Sequence, residues 1–203
     1  MKPIATRHVD IVVVTGMSGS GKSTAINALE DLGYYCIDNL PTALVPRFVE
    51  LCSETEEGMS RVALGLDLRD VSYVDTWPEL RGSLEKAGHG VTVVFLEASD
   101  AALLRRFSET RRLHPLGSGR DLAGAVGEER GLLAGLREGA DLTIDTSDLN
   151  VHELKSLVKG SVAAKPADHG LAVAVKSFGY KYGLAGDSDI VLDVRFLPNP
   201  YFV

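Results

Sequence analysis

The chain has 203 residues, 45% hydrophobic and 24% charged, with a formal net charge of −7. That suffices for one α/β domain of roughly 150 residues, with a remainder too short for an ordinary second one. The acidic balance opposes non-specific nucleic-acid binding by the surface as a whole, and two cysteines, Cys36 and Cys52, supply neither a disulfide framework nor a zinc site.

Residues 11–15 (IVVVT) read as a short buried strand, far below the length of a signal core or membrane span. A glycine-rich turn and a helix over 22–32 follow, with Gly33 placed to cap the helix. Residues 34–37 read as a second strand, and Pro41 opens a helix to about residue 52. A third strand over 62–68, a helix over 72–87 and a fourth strand over 91–96 come next. Residues 101–110 read as a helix, 114–120 as a loop, and 121–139 as a helix loosened by Gly124, Gly127, Gly131 and Gly135. A fifth strand over 141–145 and a helix over 151–159 close the alternation.

Strands alternating with helices imply right-handed crossovers and a parallel sheet covered on both faces. The expected class is α/β in three layers, and the match of residues 16–23 to G-x-x-x-x-G-K-[ST] makes it a P-loop NTPase fold of nucleotide-kinase type. Residues 1–159 would form this domain, 160–170 a linker and 171–203 the start of a second one, with strands over 171–177 and 190–195. The two cysteines read as reduced thiols of a cytoplasmic protein, with no membrane association.

The strongest motif is Gly16-Met17-Ser18-Gly19-Ser20-Gly21-Lys22-Ser23, which fits G-x-x-x-x-G-K-[ST] at every fixed position. Its backbone N–H groups would converge on phosphates, Lys22 would reach the β and γ oxygens, and the Ser23 hydroxyl would ligate Mg2+. Lys22 and Ser23 are therefore the expected catalytic residues, and Ser23 the metal ligand. Acids at strand ends compete for the second magnesium role: Asp38, Asp67 and Glu97. Arg105, Arg106, Arg111, Arg112 and Arg120 make a basic segment that suits phosphate, as a mobile lid would. Surface ion pairing would explain it equally simply. His114 is weighed there as a catalytic base against an ordinary solvated side chain.

Several separated segments resemble one known family. They are the loop 16–23; the run 28–36 with Asp38-Asn39-Leu40-Pro41; Asp67-Leu68-Arg69; the stretch 106–116 (RFSETRRLHPL); and Asp145-Thr146-Ser147 with Val151-His152-Glu153-Leu154. All resemble the bacterial RapZ/YvcJ family of P-loop nucleotide-binding proteins, which includes RNase adapters. The resemblance implies binding and hydrolysis of ATP and GTP in a regulatory role. It puts ATP on Gly16–Ser23 and GTP on Asp67, Leu68, Arg69 and Asp70. Asp70 stands where the family pattern has Asn or Ser, and Glu97 where it often has Asp. Residues 177–183 and 193–200 resemble the opening of the family's C-terminal domain, so the chain reads as a shortened member or a fragment. An RNA or ribonuclease partner follows from the resemblance alone, and homo-oligomerisation is left open. The competing reading from the residues is a small-metabolite or nucleotide kinase with an arginine lid.

Overall fold

The computed structural model describes residues 7–54, 59–68, 73–110, 113–117, 121–163, 179 and 190–193. The chain divides into two units, Met1–Lys165 and Pro166–Val203. In the first, strand β1 (Asp10–Gly16) runs into helix α1 (Lys22–Glu30), then β2 (Tyr35–Asp38), a 3-10 turn (Thr42–Leu44) and α2 (Val45–Glu54). Next come β3 (Arg61–Gly65), α3 (Tyr73–Lys86), β4 (Gly90–Glu97) and α4 (Asp100–Thr110). Helices α5 (Leu122–Leu132) and α6 (Ala134–Glu138), strand β5 (Leu142–Asp145) and helix α7 (Val151–Ala163) complete it. The five strands are parallel in the order β2-β3-β1-β4-β5. This is the α/β architecture the alternation predicts.

Strand β1 is central, paired with β3 on one side and β4 on the other, which is why its apolar run is continuous. Its side chains still divide by parity. Ile11 and Val13 face a core shared with Val45 and Val49 of α2, Trp77 of α3, Leu103 of α4 and Val126 of α5. Val12 and Val14 face the opposite core, built from Ala25, Ile26 and Leu29 of α1 and Leu154, Val158 and Val162 of α7. Each fully buried Val or Leu is worth about 1.5–3 kcal/mol, so β1 is held in place from both sides. Everything leaving its C-terminal end starts from a rigid point.

Differences from the sequence reading have local causes. The third strand ends at Gly65, not 68: the Leu66 N–H still donates to the Val14 carbonyl at 3.0 Å, but no residue beyond Gly65 pairs with β1 or β2. Pro41 opens only a 3-10 turn, and α2 begins at Val45, with Pro46 at a position that needs no intrahelical amide bond. The helix expected over 121–139 breaks at Leu133 into α5 and α6. Helix α7 continues past residue 159 because Val162 still packs into the core of β1, α1 and α7. Helix α1 is shorter than expected: it ends at Glu30, and Gly33 takes the left-handed φ of 81° that reverses the chain toward β2.

Residues 190–193 are not in a strand, and Ile190 and Leu192 are 78% exposed. The strand expected over 190–195 is thus not formed at these four residues, which have no core to face among the described residues. Arg69, Asp70, Arg111, Arg112, Arg120, the strand expected over 171–177 and the linker beyond 163 lie outside the described residues.

Candidate functional site

The loop after β1 needs glycine at its first position. Gly16 has φ 132°, and a Cβ there would sit 2.0 Å from the Leu96 carbonyl oxygen. That close approach to β4 is sealed by the Met17 N–H, which donates to the same oxygen at 3.0 Å. At the far end of the loop Gly21 has φ 102°, and a Cβ there would crowd Leu154 of α7 at 2.7 Å. The chain turns at both points and enters α1 with its first-turn amides facing the loop.

Lys22 is buried and arches back over the loop. Its Nζ donates to the carbonyl oxygens of Gly16 (2.9 Å) and Met17 (3.2 Å) and lies 3.3 Å from Asp67 Oδ2. Ser23 is exposed on the first turn of α1 and lines the same cavity, of about 510 Å³, with Asp38, Asn39 and Asp67. Ser20 Oγ is fully buried and has no hydrogen-bond partner among the described residues. A convergent set of amides, one ammonium and an unpartnered hydroxyl fits a phosphate group. A serine hydroxyl and a nearby carboxylate fit magnesium, a hard cation that takes one or two protein oxygens and completes its shell with phosphate and water.

The three strand-end acids separate. Asp67 stands beside Lys22. Asp38 is exposed, lines the cavity and borders Asn39, whose φ of 64° is the sole left-handed value outside glycine among the described residues. Glu97 does not reach the loop. Its carboxylate accepts two hydrogen bonds from Arg137 of α6, at 2.7 and 3.0 Å, which hold its pKa below the ordinary value. Glu97 is thereby engaged on α6, whereas Asp38 and Asp67 line the cavity. Among the described residues, no cluster of three or more His, Cys, Asp or Glu side chains is placed to hold a metal.

The arginines divide in the same way. Arg106 lines the cavity and bridges two loops. Its guanidinium donates to the Gly19 carbonyl (3.1 Å), to Thr146 Oγ1 (3.0 Å) and to the Thr146 carbonyl. Burial lowers its pKa from the ordinary value, with the neighbouring Arg105 adding to that effect. Arg105 itself is exposed on α4. Thr146 Oγ1 donates in turn to the Ser20 carbonyl (2.8 Å), so the segment after β5 is tied to the phosphate loop.

Two residues beyond the motif complete the site. His114 is buried, against the expectation of a solvated side chain, and its Nε2 lies 2.9 Å from Glu129 Oε2. Glu129, on α5, accepts from the Ser18 N–H at 3.0 Å and from Ser18 Oγ at 2.7 Å. Nothing in the local sequence marks Glu129, which stands between charged neighbours on a helix that reads as loosened by glycines. Thr146 carries a signal only through its segment, Asp145-Thr146-Ser147.

A parallel sheet of this strand order, with a phosphate loop at the end of its central strand, defines a P-loop nucleotide-binding protein of kinase-like fold. Solved structures agree on the fold. A shikimate kinase from Bacteroides thetaiotaomicron matches with a TM-score of 0.53 at 18% identity, over 76% of this chain and 97% of that one. A gluconokinase from Sinorhizobium meliloti matches with a TM-score of 0.50 at 20% identity, over 78% and 94%. The RapZ-like N-terminal domain model matches residues 9–165, and the RapZ C-terminal domain model matches 171–203. The chain belongs to the RapZ-like family. A nucleotide-binding protein of Myxococcus xanthus is 51% identical over 95% of this chain and 66% of its own length. One from Desulfosudis oleivorans is 47% identical over 97% of this chain and 67% of its own. The chain thus spans about two thirds of the length of the relatives it matches. Among the described residues, no helix is long and apolar enough to cross a membrane.

Proposed function

We propose that this chain binds the magnesium complexes of ATP and GTP in one pocket and hydrolyses them slowly, as the nucleotide-responsive part of a regulatory protein. The observation that carries the reading is Lys22, arched over the loop with Asp67 3.3 Å from its ammonium. Lys22 and the amides of residues 19–23 would hold the β and γ phosphates. Ser23 would ligate magnesium, and Asp67 would accept from water in the metal's shell. Magnesium, when bound, neutralises charge that develops on the phosphate oxygens. Lys22 and Arg106 would stabilise the same charge from the protein side.

The segment given to GTP by family resemblance, Asp67 to Asp70, begins at the phosphate end of the cavity, which supports a shared site for both nucleotides. The segment after β5, which also borders the cavity, supports weak discrimination between purines. Asp145 is held by Ser147 N–H and Oγ, Asn150 Oδ1 caps α7 by accepting from His152 and Glu153, and Thr146 serves the phosphate loop. Leu149, Val151 and Leu154 remain to contact a base by shape. Apolar contact rejects a purine isostere far less strongly than hydrogen-bond readout does.

Calorimetric titration with Mg-ATP, followed by Mg-GTP, tests this. Mutually exclusive binding at one site per chain is the expected result. Independent binding of both would overturn the shared pocket, and no binding of either would overturn the function. The role as an RNase adapter, with an RNA or ribonuclease partner, rests on family membership. It would reside in the full-length protein, as would any homo-oligomer.

A second reading, small-molecule phosphorylation, has one observation in its favour. Asp38 and Asn39 line the cavity beside Asp67, and Asn39 and Asp67 also border a second cavity of about 160 Å³ with Thr42 and Tyr73. Transfer from labelled ATP to small hydroxyl compounds would support it. Release of labelled inorganic phosphate alone would reject it.

A further inference from the structure

Glu129 is the least expected group near the loop. It is a fully buried carboxylate, and burying a charge is unfavourable unless donors surround it. It has them: the Ser18 N–H, the Ser18 hydroxyl and the His114 ring. The Leu116 N–H donates to His114 Nδ1 at 3.2 Å, so Nε2 carries the proton given to Glu129. The Phe107 ring packs against His114 with centroids 5.2 Å apart. An apolar residue on α5 would fill this space more cheaply than an ionised one. What the carboxylate adds is a connection. Ser18 directly precedes the amides that face the phosphates. His114 lies in residues 113–117, between α4 and α5, where Leu113 and Pro115 line the cavity.

We propose that Glu129 is a positioning residue: by gripping Ser18 and His114 together, it fixes the start of the phosphate loop and couples its conformation to that of segment 113–117. The proposal takes its ligand from the nucleotide-binding reading above. Fixing the Ser18 N–H on Glu129 sets the direction in which the backbone enters Gly19, whose carbonyl Arg106 holds from the other side. A nucleotide that shifts the loop would then shift His114, and the reverse holds by linkage.

Amide hydrogen exchange on the full chain, with and without Mg-ATP, tests it. In the free protein, Ser18→Ala should speed exchange in 113–117, on the far side of the carboxylate. His114→Ala should speed exchange in the loop 17–20, and His114→Gln, which keeps an N–H donor, should restore it. Glu129→Gln should speed both segments, weaken Mg-ATP about tenfold, and abolish the slowing of 113–117 that Mg-ATP produces in the unaltered chain. A purely structural role would not produce that last loss. Unchanged exchange in 113–117 for Ser18→Ala, together with ligand protection retained in Glu129→Gln, would overturn the proposal. If Glu129→Gln does not fold, the serine and histidine variants decide by themselves. If the unaltered chain binds no Mg-ATP, the nucleotide reading fails, and the free-protein exchange still supports or overturns the coupling.

Discussion

Strands β3 and β4 flank β1, and each leads into an acid at its C-terminal end. Asp67, after β3, lies 3.3 Å from the Lys22 ammonium, whereas Glu97, at the end of β4, grips Arg137 at 2.7 and 3.0 Å. The backbone explains the different fates. The phosphate loop begins pressed against β4: Met17 N–H donates to the Leu96 carbonyl, and Thr146 N–H donates to the carbonyl of Glu97. The end of β4 thus serves the site through its main chain, and its side chain is free to meet α6. On the other side β3 stops at Gly65, and Asp67 comes to the lysine. Of the two strand-end acids, only Asp67, on the side toward which the lysine arches, stands beside it.

The largest effect should come from the shared cation. Lys22→Ala is expected to weaken Mg-ATP about a hundredfold, near the upper worth of a hydrogen bond to a charged group. Calorimetry that returned unchanged affinity would remove Lys22, and with it the meaning of Asp67's position. Asp67→Asn comes next. It should weaken Mg-ATP about tenfold while metal-free ATP binds as well or better, because a negative charge has left the phosphate end. Equal losses with and without metal would instead make Asp67 a support for Lys22 alone. Arg106→Ala should cost about fivefold for ATP and GTP alike, since the guanidinium holds Gly19 and Thr146. A loss for one nucleotide only would make Arg106 a base reader.

Residues 16–23 could be read directly because a local pattern encodes a local shape: three glycines at positive φ, a lysine and a serine within eight residues. The α/β class was readable for the same reason, since each strand and helix carries its own periodicity. Choosing among Asp38, Asp67 and Glu97 required strand order, which no short window contains. Burial of His114 was unreadable because its partner Glu129 is 15 residues away, and the Ser18 that Glu129 also holds is 111 residues from Glu129. The break at Leu133 was hidden by glycines, which weaken a helix without saying where it will part. The arginine segment looked uniform in sequence, but only the packing of α4 turns Arg106 into the cavity and leaves Arg105 outside.

The smallest effect is the sharpest test of the contrast between the two acids. Glu97→Gln should change Mg-ATP affinity less than about twofold, because the carboxylate faces Arg137 and not the loop. Stability should fall only slightly, since half of the Arg137 side chain is exposed to screening. The pH dependence has a definite sign. Hydrogen bonding from Arg137, against the opposing effect of burial, places the folded-state pKa of Glu97 below its ordinary value. The pair therefore contributes in full well above the ordinary glutamate pKa, and loses its contribution as pH falls through the lowered pKa. Melting curves of the two forms should differ most near neutrality and converge in acid or high salt. A gap that persisted in acid would mean that packing of Glu97, rather than its charge, stabilises α6. A loss of nucleotide affinity would return Glu97 to the site and erase the distinction from Asp67.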